Sequence, residues 1–286
     1  MTSPSSKQSV GVALVTGASS GIGEAIALEL NRIGFTTYAA ARRVGLMAGL
    51  KDAGIRALSL DLSDSLSIHD CISTIQRESG GVDVLVNNAG YGLFGSIEEV
   101  ALEEARYQLQ VNLFGLAEIT KLVLPEMRSR RKGKIVNISS VGGVAASPYG
   151  GWYHASKFAV EALSSSLRQE LFPFGVDVVI VRPGAIRSGW RDVAGESLIR
   201  NSGGGPYAKA VQAMYSKFMS PDFEKMVTDP NAIAKVVGEA VTDPRPKAVY
   251  TAPRLARNII RINKLLGSER LRDAFGRRFL GLPTKM

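Results

Sequence analysis

A phenol and an amine stand four residues apart in Tyr153-His154-Ala155-Ser156-Lys157. On a helix, positions i and i+4 share a face, so the Lys ammonium would lie beside the Tyr hydroxyl and favour the phenolate. A free tyrosine titrates near ~10 and is a poor base at neutral pH. Bringing it to roughly 7 takes about 4 kcal/mol. One positive charge about 4 Å away supplies that much at an effective dielectric near ~20. Lys157 alone could therefore make Tyr153 a general acid–base. The same spacing occurs on many helices that do no chemistry, so its weight depends on what the rest of the chain builds around it.

Val10–Val15 is a short apolar run that predicts a buried strand. It leads into Thr16-Gly17-Ala18-Ser19-Ser20-Gly21-Ile22-Gly23, and then into helical spacing from Glu24 to Ile33. Strand, glycine-rich turn and helix together form a cradle for a phosphate at a helix N-terminus, where backbone N–H groups point at the ligand. The spacing Gly-x3-Gly-x-Gly is not the familiar GxGxxG, and no P-loop Lys follows, which argues against nucleotide hydrolysis. A plain tight turn is the blander alternative. The second strand, Phe35–Ala41, ends at Arg42-Arg43. An acidic residue there would take the ribose 2′-OH of NAD, whereas an Arg accommodates the 2′-phosphate of NADP. NADP(H) is therefore favoured over NAD(H), unless the two Arg residues are only solvated loop charges.

Ile55–Leu60 predicts a third strand. Asp61-Leu62 follows it, either meeting an adenine or, for Asp61, serving as a strand-end residue or helix cap. Val82–Val86 predicts a fourth, running into Asn87-Asn88-Ala89-Gly90, which suits a cofactor crevice or an ordinary turn. Residues 98–128 read as helical, with interruptions threatened at Gly115 and Pro125. Asn112 lies inside this segment, where propensity disfavours it unless it is exposed or hydrogen-bonded for a reason. Lys134–Ile138 is a fifth strand ending at Ser139-Ser140. Trp152–Leu171 is the helix of Tyr153 and Lys157, and Val176–Val181 a sixth strand leading to Arg182-Pro183-Gly184. Residues 185–230 lose clear periodicity and predict a long loop with short helices. A helix over Ala232–Val241 and a short strand over Ala248–Thr251 complete the pattern. Such alternation predicts an α/β fold: a doubly wound parallel sheet of about seven strands with helices on both faces. Ligands in such sheets sit beyond the carboxyl ends of the strands.

The chain has 286 residues, one cysteine and two histidines. Cys71 can form no intrachain disulfide, which suits a reducing, cytoplasmic setting. His69 and Cys71 share a predicted helix but have no further ligands near them in sequence, so no metal site is expected. MTSPSSKQSV is not a signal peptide, and no apolar run is long enough to span a bilayer. Residues 1–10 read as a disordered lead-in. Net charge is +9, and Arg254–Met286 holds nine Lys/Arg against two Asp/Glu, or +7. The excess is thus local, and no nucleic-acid partner is expected.

Taken together, residues 10–252 resemble the short-chain dehydrogenase/reductase family in its compact single-domain, hydroxysteroid dehydrogenase-like form. The motifs that carry the resemblance are Thr16–Gly23, Asn87–Gly90, Asn112, Ser140, Tyr153 with Lys157, and Pro183-Gly184. Ser140 rather than Ser139 lies thirteen positions before Tyr153, as in family members. The resemblance implies a Rossmann-type fold and four site roles. Tyr153 exchanges the proton of the carbonyl or hydroxyl oxygen, and Ser140 donates a hydrogen bond to that oxygen. Lys157 lowers the Tyr pKa and holds the nicotinamide ribose, and Asn112 supports a water path. It also implies cofactor contacts at Gly17, Ser19, Ile22, Arg42, Asp61, Asn88 and Pro183. Their neighbours Ser20, Gly21, Gly23, Arg43, Leu62, Ala89, Gly90 and Gly184 belong to the same segments, and Ser188 stands where members commonly have Thr.

The resemblance further implies a homodimer or homotetramer and a small or medium hydrophobic alcohol, ketone or aldehyde as substrate, with steroid-like and retinoid-like alcohols suggested by it alone. Beyond it, residues 253–286 form a tail in which apolar residues alternate with Arg. That pattern suits a basic amphipathic helix pair, lying either on an anionic membrane or over the pocket or a partner subunit. Two rivals to an NADP(H)-dependent oxidoreductase stand: a cofactor-binding sensor or scaffold without turnover, and a membrane-surface protein acting through its tail.

Overall fold

The computed structural model describes residues 9–282; most of the N-terminal lead-in lies outside this range. The chain runs β1 (Val12–Thr16), α1 (Gly21–Arg32), β2 (Thr36–Ala41), α2 (Ala48–Asp52), β3 (Arg56–Ser59), α3 (Ser65–Ser79) and β4 (Val84–Asn87). It continues with α4 (Leu102–Leu109), a π-helical turn over Gln110–Gly115, α5 (Leu116–Arg130), β5 (Gly133–Ile138), α6 (Gly151–Leu171) and β6 (Val176–Pro183). Then come α7 (Trp190–Ser202), α8 (Ala208–Phe218), α9 (Pro221–Glu224), α10 (Asn231–Thr242), β7 (Val249–Ala252), α11 (Arg254–Leu265) and α12 (Glu269–Phe279).

The strands form one seven-stranded sheet in the order β3-β2-β1-β4-β5-β6-β7, every pair parallel. Both faces are covered, which is why the central strands are near-continuous apolar runs. Alternation along β1 shows the two layers. Ala13 and Val15 pack with Ile26, Leu30, Ile233 and Val237 of α1 and α10, whereas Leu14 packs with Ile68, Ile119 and Met127 of α3 and α5. Strand order reverses between β1 and β4, so a crevice opens where their carboxyl ends diverge. The Thr16–Gly23 turn and Asn87–Gly90 leave those two ends.

Two expectations need correction. The helix expected over 98–128 starts only at Leu102; the interruption expected at Gly115 is there, as the π-turn Gln110–Gly115, and Pro125 sits inside α5 without ending it. Residues 185–230 are not mainly loop, for α7 and α8 run 13 and 11 residues. Their periodicity is hidden because α7 buries polar side chains. The Ser197 Oγ accepts the Phe94 N–H at 2.9 Å, and the Ser202 Oγ accepts that of Ser96 at 2.8 Å. The tail does form a helix pair, α11 and α12.

Candidate active site

The glycine-rich turn is built by close backbone approach. Gly17 (φ 66°) and Gly21 (φ 61°) lie in the left-handed region that favours glycine. A Cβ on Gly17 would come 2.7 Å from the Ala89 Cα, and one on Gly21 2.9 Å from the Ser188 Cβ. At Gly23 it would meet the Gly17 carbonyl at 2.4 Å and the Asn88 Nδ2 at 2.5 Å. The Asn88 amide donates to the Thr16 carbonyl at 2.9 Å, and the Thr16 hydroxyl accepts the Asn88 and Ala89 N–H groups at 3.0 Å. The first turn, Asn88-Ala89 and Ser188 are thus one assembly. Ser20 is the N-cap of α1, yet its side chain makes no capping bond, so the first-turn N–H groups remain available to an anion. That uncapped turn, with no room for a Cβ at Gly17, Gly21 or Gly23, fits a dinucleotide pyrophosphate.

At the second strand's end, Arg42 and Arg43 are exposed. The Arg42 Nη1 donates to the Tyr107 hydroxyl at 3.1 Å. The Asp61 carboxylate accepts the Ser63 N–H at 2.9 Å and hydroxyl at 2.7 Å, so it closes the β3 turn. Burial raises its pKa, but the two Ser63 bonds and the Arg42 charge outweigh that and hold it below the ordinary value. The Leu62 side chain is buried in the α3–α5 layer. Asp64, not Asp61, caps α3.

Around the Tyr–Lys pair, α6 carries both residues on its buried face, each 7% exposed. The Lys157 Nζ donates to the Ile138 carbonyl at 2.9 Å. It lies 3.7 Å from where a Gly90 Cβ would stand, with the Asn112 Oδ1 3.0 Å from the same point. An ammonium has three protons to donate, and one is used here; the site fits a ligand bearing hydroxyl acceptors. Asn112 is buried at 1%, and its place in the π-turn explains an amide inside a helix. Its Nδ2 donates to the Tyr91 carbonyl and the Ser156 Oγ, each at 3.0 Å, and its Oδ1 accepts the Tyr91 N–H at 3.1 Å. Ser140 lies two residues beyond β5, and its Oγ accepts the Gly142 N–H at 3.0 Å, which leaves its proton to point elsewhere. Pro183 ends β6 beside Ala252, and Gly184 lies against Ala256 of α11.

The expected phenolate is not what this geometry gives. Burial pushes Tyr153 up to about 12, and the Ser140 hydroxyl opposes it only in part. The ring is walled by Trp190 and Phe94, with centroids at 5.2 and 5.8 Å, and the ammonium is engaged by a carbonyl instead. Burial also lowers Lys157 to about 8, against the pull of the Glu161 carboxylate. Glu161 is itself held by Arg182 through two bonds of 2.8 Å. At neutral pH the site therefore holds a protonated phenol beside a charged amine.

Sequence reasoning passed over His154. The Gly142 carbonyl can only accept, so Nδ1 donates to it at 2.9 Å, leaving Nε2 to accept the Ser147 hydroxyl at 2.9 Å. His154 thereby staples the Ser140 loop to α6. The aromatic wall was also missed, since Phe94 and Trp190 lie far from Tyr153 in sequence. Leu280 and Leu282 join the same apolar cluster as Tyr153, Phe94, Leu198, Met214 and Phe218.

Residues 11–197 match the family model described as short chain dehydrogenase. The chain belongs to the short-chain dehydrogenase/reductase family. It is 42% identical over 181 residues to a 3-ketodihydrosphingosine reductase of Bacteroides thetaiotaomicron, a match covering 63% of this chain and 66% of that protein. It is 33% identical over 256 residues to an NADPH-dependent 3-dehydrocapnine reductase of Ornithobacterium rhinotracheale, covering 85% and 88%. Among solved structures it resembles a short-chain dehydrogenase from Streptomyces avermitilis, with TM-score 0.79, 33% identity and coverage of 91% and 93%. It also resembles an alcohol dehydrogenase from Thermococcus sibiricus complexed with 5-hydroxy-NADP, with TM-score 0.68, 28% identity and coverage of 85% and 95%. Membership and the NADP-bound neighbour support an oxidoreductase with a nicotinamide cofactor.

Proposed function

We propose that the chain is a single oxidoreductase domain, with core 10–252 and tail 253–286, that uses NADPH to reduce a ketone on a long alkyl chain. The observation that carries this is the convergence of two arrangements at one crevice. Gly17 abuts Ala89, and one residue on, Gly90 abuts Asn112 and Lys157; the phosphate cradle and the Tyr–Lys pair thus share a wall. When bound, the reduced nicotinamide supplies the hydride. Gly17, Ser19, Ser20, Gly21, Ile22 and Gly23 hold its pyrophosphate, and Arg42 and Arg43 the 2′-phosphate. The segments at Asp61, Asn88–Gly90, Pro183-Gly184 and Ser188 line the remainder.

Tyr153 gives its hydroxyl proton to the carbonyl oxygen as that atom gains negative charge. The Ser140 hydroxyl donates to the same oxygen and fixes its position. Lys157 holds the ribose hydroxyls and, while charged, stabilises the phenolate left behind. Asn112 keeps one lone pair for a water between Lys157 and solvent, a route for the replacing proton. Phe94, Trp190 and Phe218 supply an apolar, water-excluding wall suited to an alkyl chain. Both relatives' names denote reduction of a 3-keto group, and dihydrosphingosine is a long-chain amino alcohol, which supports that substrate class over the steroid or retinoid type. The exposed Phe114 of the π-turn and Phe158 and Leu163 of α6 support a homodimer through these helices.

Titration of the protein with NADPH and NADH, followed by nicotinamide fluorescence, tests the cofactor assignment. NADPH binds more tightly, and Arg42→Ala weakens NADPH about tenfold while leaving NADH unchanged, as expected for one lost hydrogen bond to a charged phosphate. Equal affinity for both cofactors would remove the NADP assignment. Binding of neither would remove the oxidoreductase function altogether.

A further inference from the structure

The tail helices carry features that hydride transfer does not use. α11 turns Ala256 and Ile260 inward onto the fold and leaves Leu255 and Ile262 exposed. The helix ends that meet at the α11–α12 turn present Leu265 (82% exposed), next to Lys264, and Leu271 (55% exposed), between Arg270 and Arg272. Eight Lys/Arg stand against two Asp/Glu in residues 254–279. Among the described residues only Arg272 of the eight is paired with a carboxylate, Glu269 at 2.6 Å. Arg272 also donates to the Asn263 and Leu266 carbonyls at 3.1 Å, which fastens α12 to α11. Arg254, Arg257, Asn258 and Arg261 line a cleft of about 340 Å³.

Exposed leucines set among unpaired cations are what an interfacial helix needs: apolar groups to enter the headgroup boundary and positive charge to meet acidic lipid. No helix among the described residues is long and apolar enough to cross a membrane. We propose that α11 and α12 form a docking surface for an anionic lipid bilayer, with the α11–α12 turn inserted and the Arg cleft taking phosphate headgroups. The same segment reaches the active site. α11 packs on the turn Val141–Gly143, next to Ser140, its Ala256 abuts Gly184, and the chain after α12 buries Leu280 and Leu282 in the Tyr153 cluster. Docking therefore seats at the lipid surface a segment that packs against the Ser140 turn and the apolar cluster of Tyr153.

Sedimentation of the full-length protein with vesicles tests this without reference to catalysis. One set is phosphatidylcholine alone; the other contains about 30% phosphatidylglycerol, enough to give a substantial negative surface potential. The protein pellets with the anionic set and not with the neutral set. Each of Arg257→Gln and Arg261→Gln weakens binding about fivefold, and Leu265→Ser with Leu271→Ser abolishes insertion while NADPH binding is unchanged. All four positions are exposed, so these variants fold. No sedimentation with anionic vesicles, or equal sedimentation with both sets, overturns the proposal. So does conversion of a dimer to a monomer by the leucine variants without vesicle binding, which would assign the surface to a second copy. Failure of NADPH binding in the wild-type protein would count against the proposed function instead, and leave the vesicle result to stand by itself.

Discussion

Tyr153 holds its proton more tightly than a free tyrosine because it is buried beside Phe94 and Trp190, and burial disfavours the anion more than the Ser140 hydroxyl favours it. A protonated phenol is a donor, the state that the proposed reduction uses. Of the Tyr–Lys pair, Lys157 is the member whose charge changes nearer to neutrality. Burial has lowered its pKa to about 8, so it is charged below that pH and neutral above it. Since the positive charge stabilises the phenolate that proton transfer leaves, kcat/KM for reduction is level below pH 8 and falls as pH rises through about 8. In Lys157→Met the rate is lower by about a hundredfold or more, and the limb near 8 is absent. A wild-type profile with no such limb would contradict this assignment of charge. The pair was visible in the sequence as a four-residue spacing, but the sign of the Tyr153 shift was not, because Phe94 and Trp190 reach the ring only through the fold.

At the scale of elements, the π-turn at Gln110–Gly115 places Asn112 against Tyr91 and Ser156, and Gly115 lets that turn cross the end of β3. A Cβ there would stand 2.3 Å from the Leu62 carbonyl oxygen and 2.6 Å from the Leu62 Cβ. Gly115→Ala therefore costs about 1–3 kcal/mol by overpacking, read as a lower midpoint in urea denaturation at unchanged slope. The strands and the Gly-rich turn were legible because parallel strands covered on both faces leave unbroken apolar runs, and a phosphate cradle needs glycine at fixed places. Ser140 was legible as a strand end. The π-turn was not, since its extra residue is held by tertiary bonds from Asn112 rather than by propensity. α7 was hidden for a related reason. Gly195 lets it pack against Met219 and Tyr215, and Ser197 and Ser202 face inward to satisfy backbone donors, so the buried stripe mixes Ala194 and Leu198 with polar side chains.

Across the whole molecule, charge and chemistry are segregated. The tail from Arg254 accounts for +7 of the +9 net charge, leaving +2 for the rest. Yet the tail's last described residues are buried beside the site, so it belongs to the fold and not only to the surface. Leu280→Ala with Leu282→Ala removes two side chains that are 5% and 7% exposed. Each truncation costs about 2–5 kcal/mol if its cavity does not collapse, seen as a lower thermal midpoint. Because these leucines pack in the apolar cluster of Tyr153 and Phe94 and are not among the neighbours of the Gly17–Gly23 turn, the double variant raises KM for a long-chain ketone and leaves the NADPH dissociation constant unchanged. A change in NADPH affinity equal to that in KM would show that the tail supports the fold generally and not the Tyr153 cluster.

The most direct test of the central claim is a single-turnover reaction of Tyr153→Phe and wild-type protein with NADPH and a long-chain 3-ketone, alongside NADPH titration of both. Wild-type protein consumes NADPH with formation of one equivalent of alcohol. The variant binds NADPH equally well but reacts about 10²–10⁴-fold more slowly, the range for loss of a positioned proton donor. Equal rates in the two proteins would show that Tyr153 is not the donor and would contradict the Ser140–Tyr153–Lys157 assignment.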